Sequence, residues 1–172
     1  MALLVLNVAG SDRPGLTNAL AAAVLSAGGN WLESHLTRLG GLYVGSVLVE
    51  LGTSNVEALR AAVAAVDAAG LEVRIAPAGT SAPAKGETLE FSLVGQDRPG
   101  IVNQVTQAVS GLGANIETFE TWLTSEAHSG APLFHMAAHL RLPRGLPASK
   151  VQAALEAISG EIMVDVAVGK TG

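Results

Sequence analysis

The sequence predicts an α+β protein built as two consecutive copies of one β-α-β-β-α-β module, each a four-stranded antiparallel sheet with two helices on one face. Two observations carry this prediction. The turn Asp12-Arg13-Pro14-Gly15 recurs as Asp97-Arg98-Pro99-Gly100, and a shift of about 85 positions also lays Gly10, Asn18, Val24, Gly28 and Asn30 on Gly95, Asn103, Val109, Gly113 and Asn115. Around each turn the apolar period changes from two residues, as in a strand, to 3.6, as in a helix.

Taken in order, Leu4, Leu6 and Val8 alternate with Leu3, Val5 and Asn7, so one set faces a core and the other the far side of a sheet. The second copy decides which. Leu89, Phe91 and Leu93 are apolar where Thr88, Glu90 and Ser92 are polar, so Leu4, Leu6 and Val8 are the core set. Leu3 and Val5 make the outer face apolar as well, which predicts that it is covered. The turn leads into a helix running to about Ala27, striped by Leu16, Leu20, Ala23, Val24 and Ala27, with Ile101, Val105, Ala108, Val109 and Leu112 in the second copy. Pro14 and Pro99 suit a first helical turn, where no amide donor is required. Gly28-Gly29 and Gly113 end the helices.

Residues 30–39 and 42–51 read as a hairpin closed at Gly40-Gly41. Their counterparts, 115–124 and 133–142, are joined by a longer polar loop over 125–132. Tyr43, Val47, Val49 and Leu51 match Phe134, Ala138, Leu140 and Leu142 on one strand face. Thr53-Ser54-Asn55 offers a cap for a helix over 56–69, striped by Val56, Leu59, Val63 and Val66, and a short strand over 71–76 closes the module. The second module closes with a helix over 149–159 and a strand over 162–168. The expected divisions are 1–78 for the first module, 79–86 for an Ala/Pro/Gly/Ser-rich linker and 87–169 for the second. Right-handed crossovers place the first and third strands of each sheet in the middle.

Composition narrows the function. With 49% hydrophobic but only 3% aromatic residues, the cores must be filled by Ala, Val and Leu. The chain has no cysteine, which excludes disulfides, a thiol nucleophile and thiolate metal sites. The apolar start, Met1 to Val8, lacks a basic flank and reads as a strand rather than a leader, and no stretch is long enough to span a membrane. A cytoplasmic location is expected. A net charge of −5 with scattered Lys and Arg argues against direct nucleic-acid binding.

The repeated turn is the candidate site. A helix N-terminus at the end of a central strand presents free amides and a partial positive field, which suits a small carboxylate. Gly15 and Gly100 would let a ligand approach the backbone, and Asn18 and Asn103, one turn further on, offer an amide donor and acceptor. Asp12, Arg13, Asp97 and Arg98 complete the set. The architectural alternative has Asp12 and Asp97 capping or forming Asx turns, with Arg13 and Arg98 in solvent.

These turns, with Gly28-Gly29-Asn30 and Gly113-Ala114-Asn115 opening the second strands, resemble ACT domains over both halves of the chain. The plan of two such modules and nothing catalytic is similar to the glycine cleavage system transcriptional repressor family. That resemblance implies a tandem ferredoxin-like fold, an accessory role in amino-acid-responsive transcription through a LysR-type activator, and a ligand of the glycine or serine class. By the family's pattern the matching site residues are Gly15, Asn18, Gly100 and Asn103. It also implies pairing into a homodimer or higher homo-oligomer, with no cofactor.

Other features weigh less. His135 and His139 share one strand face but stand about 13 Å apart along it, too far for one zinc, and they suit an outer pairing surface instead. Trp31 and Trp122 fall at unaligned positions of the second strands and read as packing, with Trp122 also placed to close a pocket or anchor an interface. Tyr43 and Phe134 read as core aromatics. No phosphate loop, dinucleotide fingerprint or nucleophile-base pairing is present, so the chain is read as a non-enzyme. The rival readings are a ligand-independent adaptor and an accessory subunit of an amino-acid metabolic enzyme.

Overall fold

The structure is a computed structural model that describes residues 1–79, 86–158 and 163–169, of which 164–169 by backbone alone. Residues 80–85 of the expected linker lie outside the described residues, as do 159–162, which include the expected last residue of the final helix and first residue of the final strand, and 170–172.

The chain divides into two compact units, Met1–Thr80 and Ser81–Gly172. The first runs β1 (Ala2–Ser11), α1 (Leu16–Ser26), β2 (Asn30–Leu39), β3 (Leu42–Leu51), a 3-10 turn (Thr53–Asn55), α2 (Val56–Ala68) and β4 (Leu71–Pro77). The second runs β5 (Thr88–Gln96), α3 (Ile101–Gly111), β6 (Asn115–Ser125), β7 (Pro132–Arg141), α4 (Ala148–Glu156) and β8 (Met163–Gly169). Strand orders are β2-β3-β1-β4 and β6-β7-β5-β8, antiparallel throughout, so the first and third strands of each unit are central as expected. This is a tandem ferredoxin-like α+β fold.

Burial follows the predicted alternation. Leu4, Leu6 and Val8 face the helices together with Leu16, Leu20, Val24, Leu59 and Val63, while Leu89, Phe91 and Leu93 pack with Ile101, Val105, Val109, Val151 and Leu155. Each fully buried Leu or Phe contributes about 1.5–3 kcal/mol relative to exposure. On the third strands Val47, Val49 and Leu51 are buried, as are their counterparts Ala138 and Leu140, with Leu142 just past the end of β7. Trp31 and Ile116 both pack against their cores, and each strand then shifts register by one residue, between Trp31 and Glu33 and between Ile116 and Thr118. A repeated bulge thus re-aims both second strands.

Three expectations are corrected. Pro14 and Pro99 do not enter the helices, because Gly15 and Gly100 stand in the left-handed region as N-caps and the helical run begins only after them. Thr53-Ser54-Asn55 forms a 3-10 turn rather than a side-chain cap, and no side chain bonds the first amides of α2. The outer-face Leu3 is 41% exposed in this chain, and four residues further along the same face Ser46 donates to Asn7 at 2.7 Å. Tyr43 is half-buried, its hydroxyl 2.7 Å from Thr17 Oγ1, whereas Phe134 is a core residue.

Candidate functional site

The two turns share a backbone. Gly15 has φ 90 and ψ −9, Gly100 has φ 87 and ψ −2, and neither α1 nor α3 receives a side-chain cap. A Cβ built on either glycine meets nothing within 4 Å, so the backbone there faces open space. The left-handed glycine turns the chain sharply out of the strand and leaves the first-turn amides without a side-chain cap, with the first amide of α3, Ile101 N–H, donating to the Arg98 carbonyl at 3.4 Å. Asn18 and Asn103 lie one turn on, both exposed. The capping by Asp12 or Asp97 that the architectural alternative required does not occur.

The side chains around the two turns differ. In the first unit, Arg38 Nε donates to the Asp12 carboxylate at 3.1 Å, tying the turn to β2. Arg13 Nη2 donates to the carbonyl of Ala69, the C-cap of α2, where a cation complements the exposed carbonyls of the helix end. Thr17 meets Tyr43 on β3. In the second unit, Arg98 folds back onto its own helix and donates to Gln104 Oε1 at 2.7 Å. Asp97 engages only through its backbone, its N–H donating to the Pro132 carbonyl at 3.1 Å, and its carboxylate has no partner among the described residues. The loop between β6 and β7 therefore stands next to this turn, closed on itself by Glu126 N–H donating to the Ala131 carbonyl at 2.8 Å and Gly130 N–H to the Glu126 carbonyl at 2.9 Å.

Sequence reasoning missed the partners Arg38, Thr17 and Tyr43, and the corner at Ala69-Gly70. A Cβ on Gly10 would collide with the Gly70 carbonyl, and one on Gly70 would meet the Arg13 guanidinium. An isolated glycine just past a helix was the signal for that corner, though nothing in the sequence says which strand end it meets.

Elsewhere, His135 and His139 sit on the outer face of the second sheet with separate partners: Thr124 Oγ1 at 2.7 Å from His135 Nε2, and Thr118 Oγ1 at 2.9 Å from His139 Nδ1. Trp122 stacks on His135 with centroids 5.2 Å apart and planes 8° from parallel. No group of His, Asp or Glu able to hold a metal occurs among the described residues, and no helix there is long and apolar enough to cross a membrane. A shallow groove of about 450 Å³ runs between α1 and α2, lined by alanines with Val66 and Ser26, whose hydroxyl already donates to the Ala23 carbonyl. It offers an amino acid no charged or polar anchor.

The family model of the ACT domain matches residues 2–75. The first unit is an ACT domain. The second repeats its topology, its glycine-led turn and its bulge, giving a tandem of ACT-type folds. A crystal structure of an unknown protein from Galdieria sulphuraria is 27% identical, covers 98% of this chain and 99% of its own, and superimposes with a TM-score of 0.84. A candidate glycine cleavage system transcriptional repressor is 20% identical over 99% of this chain and 98% of its own, with a TM-score of 0.70, a likeness of fold. No curated protein sequence matches the chain.

Proposed function

We propose that this chain is a non-enzymatic regulator that binds a small amino acid of the glycine or serine class at the ACT turns and passes that signal on by protein contact. Its partner in this reading is a LysR-type transcriptional activator of glycine or one-carbon metabolism, met in the cytoplasm, with the chain itself a homodimer or higher homo-oligomer. The modules of this reading span 1–78 and 87–169, joined by 79–86.

The observation that carries it is the pair of uncapped helix starts behind left-handed glycines, each facing open space. First-turn amides complement a carboxylate. The Asn18 and Asn103 side chains add hydrogen bonds, and Asp97, whose carboxylate has no described partner, suits an ammonium group. Asp12 is already matched by Arg38. The second turn is therefore the stronger binding site of the two. Arg13 and Arg98 frame the turns, one anchored across the unit and the other on its own helix.

A second reading, contact without ligand, is favoured at the first turn, where Asp12, Arg13 and Thr17 are each tied to another element. Titration calorimetry of the full chain against the twenty amino acids separates the readings. A small amino acid should bind, Asn103→Ala should weaken it, and Asn18→Ala should weaken it less. If none of the twenty releases or absorbs heat at millimolar concentration, the sensor reading fails and the adaptor stands.

A further inference from the structure

We propose that Arg141 is a latch that fastens the entry of the second unit, Gly86 and Glu87, onto its sheet, and that the bulge of β6 serves to aim Glu117 at it. This does not depend on any ligand at the turns. Arg141 is the last residue of β7, and its guanidinium uses all three nitrogens. Nε and Nη2 donate to the two carboxylate oxygens of Glu117 at 2.9 and 3.2 Å, and Nη1 donates to the Gly86 carbonyl at 3.1 Å. A planar fork matches a carboxylate at two points in a way that an ammonium does not. The Arg141 and Glu117 side chains are 18% and 31% exposed, the most shielded ion pair among the described residues, so salt weakens it less than the others.

Three segments meet in this contact. Asn115 stands opposite Arg141 and Ile116 opposite Leu140, and the register shift then leaves Glu117 as the extra residue of β6 before Thr118 meets His139. An extra residue of this kind re-aims a side chain. Regular pairing of β5 with β7 starts at Thr88 opposite Arg141, yet the Leu142 N–H donates to the Glu87 carbonyl at 2.9 Å. Gly86 lies so close that a Cβ there would collide with the Leu142 carbonyl. Arg141 thereby holds the chain two residues ahead of the strand. The first unit has the same bulge without the latch. Leu32 is its extra residue, 45% exposed, and Glu50 stands opposite Asn30 as Arg141 stands opposite Asn115. Glu50 has no ion-pair partner among the described residues. The backbone is common to both units, and the ion pair is added in the unit that the linker enters. Closed, the latch makes Gly86 the first fixed residue of that unit; open, the fixed chain starts at β5.

Lys85 immediately precedes Gly86 in the chain, and the other lysines are Lys150 and Lys170. A protease that cuts after lysine must draw residues on both sides of the bond into its cleft, so cleavage between Lys85 and Gly86 tracks the release of Gly86 and Glu87. Lys150 lies within α4 and reports unwinding of the unit as a whole. In the full chain, Arg141→Met keeps the apolar stem and loses the fork. It should speed cleavage after Lys85 by at least about fivefold and leave cleavage after Lys150 unchanged. Glu117→Gln, which removes the charge and keeps one acceptor, should give a smaller increase at the same bond. Gly86→Ala alters the cleavage site itself, so it is read by hydrogen exchange at the Leu142 amide, which should quicken by at least about fivefold. The proposal is overturned if Arg141→Met is cut after Lys85 at the wild-type rate, or if cleavage after Lys85 and Lys150 quickens in equal proportion. Unchanged exchange at Leu142 in Gly86→Ala overturns it as well.

Discussion

Replacing Gly15 and Gly100 with alanine and with asparagine separates what the glycine does for the backbone from what it leaves open. At φ 90 and 87 these positions lie in the left-handed region, where an L-residue with a Cβ costs roughly 1–2 kcal/mol. No atom stands within 4 Å of the added methyl, so steric collision contributes nothing further. Each alanine should therefore lower stability by about 1–2 kcal/mol, or roughly 4–8 °C in melting temperature per kcal/mol for a unit of this size. Asparagine tolerates the left-handed region far better and should be several-fold milder, while projecting more bulk into the open space. Differential scanning calorimetry and amino-acid titration on the same four variants give the two readouts. Gly100→Asn should keep its melting temperature and lose binding at the second turn. Valine is unsuited to this test, since β-branching adds strain that would mask a lost contact. If Gly100→Ala melts like wild type, the argument from φ is wrong. If Gly100→Asn binds like wild type, the ligand does not rest on that turn.

Three further outcomes follow from the packing. Leu93→Ala, at a fully buried position of β5, should cost about 2–5 kcal/mol in urea unfolding. Arg13→Ala should destabilise by roughly 0.5–1.5 kcal/mol, nearer the lower end because the bond to the Ala69 carbonyl is exposed, and Arg98→Ala by less, since its bond to Gln104 ties the turn only to the helix it leads into; chemical denaturation of the pair gives the order. Gly45→Ala sets a Cβ against the His35 carbonyl across β2 and β3 at φ 149 and should cost more than about 3 kcal/mol, visible as a large drop in thermal midpoint.

The fold was legible because the chain states it twice. Where one copy is ambiguous, as at the doubly apolar Leu3 to Val8, the other has polar residues at Thr88, Glu90 and Ser92 and settles which face is core. Helix starts were less legible. Proline before glycine fits a first helical turn, but the left-handed glycine after it forbids one, and only the backbone φ in the structure distinguishes the two. The turn residues themselves could be named from the repeat. Their partners could not, because Arg38, Tyr43 and Ala69 reach the turn from three other elements and pair by tertiary register rather than by local spacing. The second copy gave no warning of this difference: the same Asp-Arg-Pro-Gly letters leave Asp97 without a described partner and send Arg98 to Gln104, a residue whose counterpart in the first copy is Ala19.

Gly10 and Arg13 both touch the Ala69-Gly70 corner, one by lying beneath the Gly70 carbonyl and the other by gripping the carbonyl before it. Two fastenings three residues apart make a clamp rather than a hinge. Any displacement of the first turn must drag the end of α2 along or unfasten one of the two, so motion begun at one corner of this unit is delivered mechanically to another, and the amide hydrogens of Ala69 and Gly70 are where slackening would register first.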